Sequence, residues 1–321
     1  MAVQLRWGIL GTGMIARAFA ADLPSSRTGS LSAVASRDAT RAAAFGAPRA
    51  HDSYESLLAD DDVDAVYIAT PHPLHAEWAI AAAEAGKHVL CEKPLTTSCD
   101  DAERVIEAAI DNDVFVMEAF MYRSHPQTEA LLMLLEQKIV GEILTVDAVH
   151  CFDGGSRLTP DNRLLDPVLG GGAILDVGCY CVSGALLVGG TSRARIVDAT
   201  ARRGVTGVDL EATATLELDR GITATLWCAI DRDRPPALRI HGTAATIVVD
   251  TPWLPRGATT IRVIGPGVRE AVDIASDRGL YAYEADVVAD AVAAGLHEGV
   301  PGWDESLATM RVLDEWRDAI A

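Results

Sequence analysis

In the first 120 residues, short apolar runs alternate with segments whose apolar residues recur every three or four positions. Runs of this length bounded by Gly, Pro or Asp predict strands, and the wider spacing predicts helices with one buried stripe. The strands fall at residues 5–10, 31–36, 65–70, 88–92 and 114–118, and the helices at 15–23, 41–45, 54–58, 75–85 and 100–112. Such alternation makes βαβ units and a parallel, doubly wound sheet. Past Phe120 the texture changes. A helix over 127–138 leads into a strand over 143–152. An irregular stretch rich in Gly, Pro, Asp and Arg then runs to Leu169. A helix starts near Gly171-Gly172, carries Asp176 and Tyr180, and reaches about residue 187. Alternating β-branched segments follow at 194–201, 211–218, 222–230, 238–241, 246–249, 261–264 and 268–274. They are punctuated by Asp219-Arg220-Gly221, His241-Gly242-Thr243 and Gly265-Pro266-Gly267. Turn signals at that spacing predict an antiparallel meander. Helices over 281–296 and 303–320 close the chain.

The length of 321 residues suits two domains, with the texture change placing them at 1–120 and 121–321. A formal net charge of −19 excludes nucleic acid and anionic membrane as partners, because phosphate binding needs clustered Lys and Arg. The six cysteines form no CxxC pair and no zinc spacing with histidine, so they read as reduced thiols of a cytoplasmic protein, with no metal expected. The absence of a basic leader and of 18 consecutive apolar residues gives no expectation of secretion or membrane insertion.

Two stretches carry chemistry. Gly11-Thr12-Gly13-Met14-Ile15-Ala16 follows the first strand and opens a helix. There a glycine turn lets backbone N–H groups meet a pyrophosphate. This marks the N-terminal domain as a Rossmann dinucleotide-binding domain. About twenty residues on, where an acidic residue would read an NAD ribose, stand Ser36 and Arg37, followed by Asp38. A hydroxyl and a guanidinium suit a 2′-phosphate and hence NADP. The alternative is that Arg37 faces solvent while Asp38 takes the ribose of NAD. Thr70, Pro71, His72 and His75 at the third strand's end would border the nicotinamide ribose, although helix-entry histidines also serve as caps and packing residues.

The second stretch is Cys91-Glu92-Lys93-Pro94. Proline ends the strand and delivers the Lys93 ammonium to its carboxyl end, where open α/β sheets bind ligands. Glu92 points to the opposite face and reads as structural. Hydride transfer at a carbinol needs a proton-exchanging group and a group that holds the oxygen. Asp176 and Tyr180, four apart on a helix after Gly170-Gly171-Gly172, share a face. A tyrosine becomes a usable acid or base beside a lysine ammonium, because the opposite charge favours the phenolate. The alternative is that Asp176 caps its own helix and Tyr180 packs against the sheet.

Taken together, these motifs resemble the glucose-fructose oxidoreductase, inositol dehydrogenase and MocA-like family. The resemblance rests on the loop at Gly11, Glu92-Lys93-Pro94, Met117-Glu118-Ala119-Phe120 and the three glycines ahead of Asp176-x-Gly178-x-Tyr180. It implies a C-terminal α+β domain with a large, mostly antiparallel open sheet, and a cis bond before Pro94 that aims Lys93 at the nicotinamide. It also implies catalysis by Lys93, Asp176 and Tyr180, and cofactor contacts from Gly11, Thr12, Gly13, Met14, Ile15, Glu92, Lys93 and Pro94. Tyr180 stands where the family usually has a histidine acid/base. That departure, with 121–127 and Leu165-Asp166-Pro167, is similar to the branch of dimeric dihydrodiol dehydrogenases and NADP-dependent D-xylose dehydrogenases. The expectation is an NADP-dependent oxidoreductase acting on a sugar or cyclic diol, with NAD as the alternative cofactor. Substrate walls would come from Arg123, His125, Arg157, Asn162 and Arg163. For Arg123 an ion pair is the alternative, and for Arg157 and Arg163 exposure to solvent. The second domain's sheet has a face to cover, and the family pairs such faces into homodimers or homotetramers. The rival reading is a non-catalytic NADP-binding sensor on the same fold; a methyltransferase would leave Lys93-Pro94 unexplained.

Overall fold

The computed structural model describes residues 3–321, which form two compact units. The first holds the chain up to Thr96, Asp100–Ser124 and Asp277–Trp303; the second holds Thr97–Cys99, His125–Ser276 and Asp304–Ala321. A single cut at residue 120 falls close to Ser124, but one late segment returns to the first unit.

In chain order the first unit contains β1 (Leu5–Leu10), α1 (Met14–Asp22), β2 (Gly29–Ala35), α2 (Ala39–Ala43), β3 (Arg49–His51) and α3 (Tyr54–Leu58). It continues with β4 (Ala65–Ile68), α4 (His75–Glu84), β5 (His88–Glu92), α5 (Cys99–Asp111) and β6 (Val116–Ala119). Its six-stranded sheet has the order β3-β2-β1-β4-β5-β6, parallel throughout. Helices cover both faces, so central β4 (Ala-Val-Tyr-Ile) carries no charged residue and is buried throughout. The order reverses between β1 and β4, whose carboxyl ends open the crevice in which such sheets bind ligands. Three-residue β3, with Arg49 and His51 on an edge, was too short and polar to register in the sequence.

The returning segment is tied by buried polar bonds. Asp286 accepts from Ser26 Oγ (2.7 Å), Thr28 Oγ1 (2.7 Å) and Arg278 Nη1 (2.6 Å), and the Arg27 N–H adds a fourth bond. Burial alone would raise its carboxyl, yet these bonds hold it below the usual carboxylate range. At the other sheet edge Val116 N–H donates to His297 O (2.9 Å) and Trp303 Nε1 to Val116 O (3.0 Å).

The second unit contains α6 (Pro126–Glu136), β7 (Ile143–Cys151), a loop with short 3₁₀ turns and a π-helical turn, Ile174–Gly178. The π turn runs into α7 (Cys179–Gly189). Then come β8 (Ala194–Arg203), β9 (Asp209–Leu218), β10 (Thr223–Ala229), β11 (Ala237–Gly242), β12 (Thr246–Val249), β13 (Thr259–Gly265) and β14 (Val268–Ile274). Of the last two helices, α8 (Leu280–Ala293) belongs to the first unit and α9 (Trp303–Ala319) lies almost wholly in the second. The eight-stranded sheet runs β14-β13-β12-β11-β7-β10-β9-β8. It is not one meander: β7 sits between two meanders, antiparallel to β11 and parallel to β10. The long excursion from β7 through the helix allows the parallel pair, which a tight hairpin could not make.

One sheet face packs on the helical layer. A Cβ at Gly178 would sit 3.2 Å from both Trp316 and Cys228, and one at Gly184 would meet Trp253 at 2.6 Å. Along β9 and most of β10 buried and accessible positions alternate, while β8 buries none of its residues. Ala212, Ala214 and Leu216 are buried, while Glu211, Thr213, Thr215 and Thr225 remain accessible. The run Pro167–Gly189 contains an 18-residue window apolar enough to span a bilayer (mean hydropathy 1.7), but 89% of that window is buried inside the protein, as in a core helix. None of the six cysteines is bridged, and five are buried.

Candidate active site

The cofactor end begins where β1 stops. Gly11 adopts φ +112°, and a Cβ there would lie 2.8 Å from Ala69 O, so only glycine lets the loop cross the end of β4. Gly13 starts α1 without a side-chain cap, no acidic residue occupies the first turn, and Met14 is 83% exposed. The orphan N–H groups of that turn therefore face outward, where an anion can accept from them. Close by in the chain fold, Thr70 is buried and its Oγ1 has no partner among the described residues, a donor waiting for a ligand oxygen. These features fit a dinucleotide. At the end of β2, Ser36 Oγ accepts from Asp38 N–H (3.2 Å), and Arg37 is exposed. Burial raises the Tyr54 phenol, and Arg37 partly offsets this. Asp38 is committed to capping α2, with Oδ1 accepting from Thr40 and Arg41 N–H.

The turn after β5 is held from several sides. The Lys93–Pro94 bond is cis, as the resemblance implies. Glu92 is buried: its Oε1 accepts from Tyr67 OH and its Oε2 from Lys93 N–H (3.2 Å). This fits the structural role inferred from strand alternation. Leu95 N–H donates to Glu118 Oε1 (2.9 Å). His75, fully buried, sets Nδ1 2.9 Å from Pro94 O and Nε2 3.0 Å from Thr70 O, joining the ends of β4 and β5. Both partners are carbonyl acceptors, so only a ring with protons on both nitrogens satisfies the pair in full.

In the second unit, Gly171 and Gly172 let the loop from Arg163 to Asp166 lie against the helix start. Gly171 N–H donates to Asp166 O (2.9 Å) and Gly172 N–H to Leu164 O (3.0 Å). The π turn follows, a local widening found often at functional sites. It carries Asp176, largely buried and paired with Arg163 Nη2 at 2.9 Å. Tyr180, 3% exposed, stands in the first turn of α7 against His150 (ring centroids 4.9 Å, edge-on) and Trp253 (6.1 Å). Arg163, expected as a substrate wall, thus also reaches the aspartate. Of the other predicted walls, His125 is buried and caps α6, its Nδ1 accepting from Gln127 N–H (3.1 Å), and burial lowers its pKa to about 4. Asn162 folds its own loop, bonding Arg157 O (2.6 Å) and Leu164 N–H (2.9 Å). Arg157 is exposed, while Arg123 is buried beside Phe120, whose carbonyl accepts its N–H (2.8 Å).

Sequence reasoning did not find His150, Trp253, Tyr67 or Asp209. The last accepts from Ile174 N–H (2.7 Å) and so caps the helix that carries Asp176 and Tyr180. Burial raises its carboxyl while the Ile174 and Ala173 N–H groups pull it back down. A lone Asp heading a strand gives no signal of a partner 35 residues earlier.

Residues 5–120 match the model of an oxidoreductase family with an NAD-binding Rossmann fold, and residues 128–248 match the GFO/IDH/MocA C-terminal domain. This chain belongs to the GFO/IDH/MocA family. A D-xylose 1-dehydrogenase (NADP(+)) of Haloferax volcanii is 37% identical across 97% of this chain and 95% of its own length. The trans-1,2-dihydrobenzene-1,2-diol dehydrogenase of Bos taurus is 32% identical, covering 99% and 97%. Among solved structures, KijD10, a 3-ketoreductase from Actinomadura kijaniata in complex with NADP and TDP-benzene, superposes with a TM-score of 0.89. It is 29% identical and covers 99% of this chain and 98% of its own.

Proposed function

We propose that this protein is an NADP-dependent oxidoreductase that interconverts a carbinol and its carbonyl on a sugar or cyclic diol. When bound, the nicotinamide supplies or accepts the hydride. The protein's part is to hold the dinucleotide, position the substrate carbon and manage the oxygen's proton. The pyrophosphate would lie at the α1 N-terminus against Gly11, Thr12, Gly13, Met14 and Ile15, and the 2′-phosphate at Ser36 and Arg37. Thr70, Pro71, His72 and the Glu92-Lys93-Pro94 turn would border the nicotinamide end, with His75 setting the spacing of those loops. Tyr180 exchanges the substrate oxygen's proton, Lys93 stabilises the negative charge that develops there, and Asp176 orients Lys93 or a substrate hydroxyl. Arg123, Arg157, Asn162 and Arg163 would contact substrate hydroxyls, and the open face of β8–β10 would seat a second copy of the chain.

The observation that carries this reading is Tyr180, shielded between His150 and Trp253 four residues beyond a buried aspartate. The names of the xylose and dihydrodiol dehydrogenase relatives point to the same substrate class. The test is turnover of D-xylose, other aldoses and cyclic diols with NADP+, followed by reduced-nicotinamide absorbance. Tyr180→Phe should lower kcat at least about 100-fold, the range expected for loss of a general acid/base, with cofactor affinity unchanged. Undiminished turnover would remove Tyr180 from the chemistry. Tight NADPH binding with no turnover across the panel would instead favour a binding protein.

A further inference from the structure

We propose that Asp209 is a positioning residue for Tyr180, fixing from the head of β9 the depth at which the Tyr180 helix sits. The proposal rests on the reading of Tyr180 as the proton-exchanging group. A helix leaves its first N–H groups without internal partners, and a side-chain acceptor there decides where the helix begins. Here Asp209 Oδ2 accepts from Ile174 N–H at 2.7 Å. The chain is shaped to admit it. Gly172 holds φ +115°, and a Cβ at that position would run into the Asp209 carboxylate. Two positions 37 residues apart are therefore committed to one contact.

The far end of the helix is held in the same way. Arg220, just past the end of β9, adopts φ +62°, a backbone conformation rare outside glycine, and donates from Nη2 to Gly189 O at 2.6 Å. Residues flanking one strand thus clamp both ends of one helix. The acid sits at the N-terminus and the base at the C-terminus, the arrangement the helix dipole favours. Packing of Gly178 against Trp316 and Cys228 fixes the helix sideways. The end clamps are what resist sliding along its axis. Tyr180 lies only six residues past Ile174, so fraying of the π turn would move both it and Asp176. A misplacement of about 1 Å can cost about 100-fold in rate.

The test compares Asp209→Ala, Asp209→Asn and Tyr180→Phe with the double variant Asp209→Ala/Tyr180→Phe, using D-xylose and NADP+ as the probe pair. Amide exchange over residues 173–178 is measured alongside in the full-length protein. Asp209→Ala should speed exchange at Ala173 and Ile174 and lower kcat about 100-fold, leaving NADPH affinity as in the wild type. Asp209→Asn, which keeps an acceptor oxygen for Ile174 N–H, should restore both exchange protection and kcat to within about tenfold. The double variant should be no slower than Tyr180→Phe alone, because a residue acting only through the tyrosine adds nothing once the hydroxyl is gone. Unchanged exchange in Asp209→Ala, or additive losses in the double variant, would overturn the proposal. If the alanine variant fails to fold, the asparagine variant decides: a kcat drop without any change in exchange at 173–178 sinks it. If Tyr180→Phe itself turns over normally, the tyrosine reading has failed, and the exchange data still report whether Asp209 holds the helix.

Discussion

Glu284, on α8, is fully buried, and neither carboxyl oxygen has a partner in the described structure. Burial first, and Glu92 second, push its carboxyl well above the usual 4.5. The folded protein therefore keeps a proton that the unfolded chain releases above about 4.5. With the folded value raised, the group's stability is intact at low pH and is lost as pH rises toward that value. Glu284→Gln keeps the shape without the titration. Its denaturant midpoint at pH 8 should exceed that of the wild type. Near pH 4.5 the two should unfold together. A variant weaker than wild type at pH 8 would show that Glu284 is ionised and partnered. Nothing local in the sequence marks this residue: a Glu in the helical run Tyr283-Glu284-Ala285 looks like any solvated face. Lys93 and Tyr180 stand out as candidates because glycine and proline beside them have a narrow range of backbone uses.

The turn between β2 and α2 shows how an element can decide a specificity. A helix needs an N-cap, and Asp38 supplies one to Thr40 and Arg41 while also pairing with Arg41 at 3.4 Å. The Asp38 carboxylate is thereby engaged, and the Ser36 hydroxyl and the Arg37 guanidinium are the groups proposed to meet the ribose. Arg37→Ala should weaken NADPH binding by roughly tenfold or more, the worth of a charge-assisted bond, with NADH binding little changed. Equal losses for both cofactors in fluorescence titrations would refute a 2′-phosphate role. The parallel strands, the glycine loop and most helices were legible because their periodicity is local. The parallel pairing of β7 with β10 was not, since partner choice between distant strands leaves no trace in either strand's alternation. For the same reason the Asp209 cap escaped notice.

For the assembled protein, the accessible Thr213, Thr215 and Thr225 face of β8–β10 is the surface proposed to seat a second copy. Light scattering should give a dimer or tetramer mass, and Thr215→Arg with Thr225→Arg should shift it toward a single chain without altering NADPH affinity. A wild-type monomer at micromolar concentration would rule out that face as an interface. How the chain is shared between its two compact units was not legible in the sequence, because α8 enters the first unit through Asp286 bonds to Ser26, Arg27 and Thr28. That connection has a consequence for synthesis. About 150 residues separate the first unit's early segments from α8. At about 5–20 residues per second, a ribosome needs roughly ten seconds or longer to deliver the helix that completes it. Through that interval the nascent first unit carries Ser26 to Thr28 without their carboxylate and leaves the α1 surface bare, so its closure waits on the translation of α8.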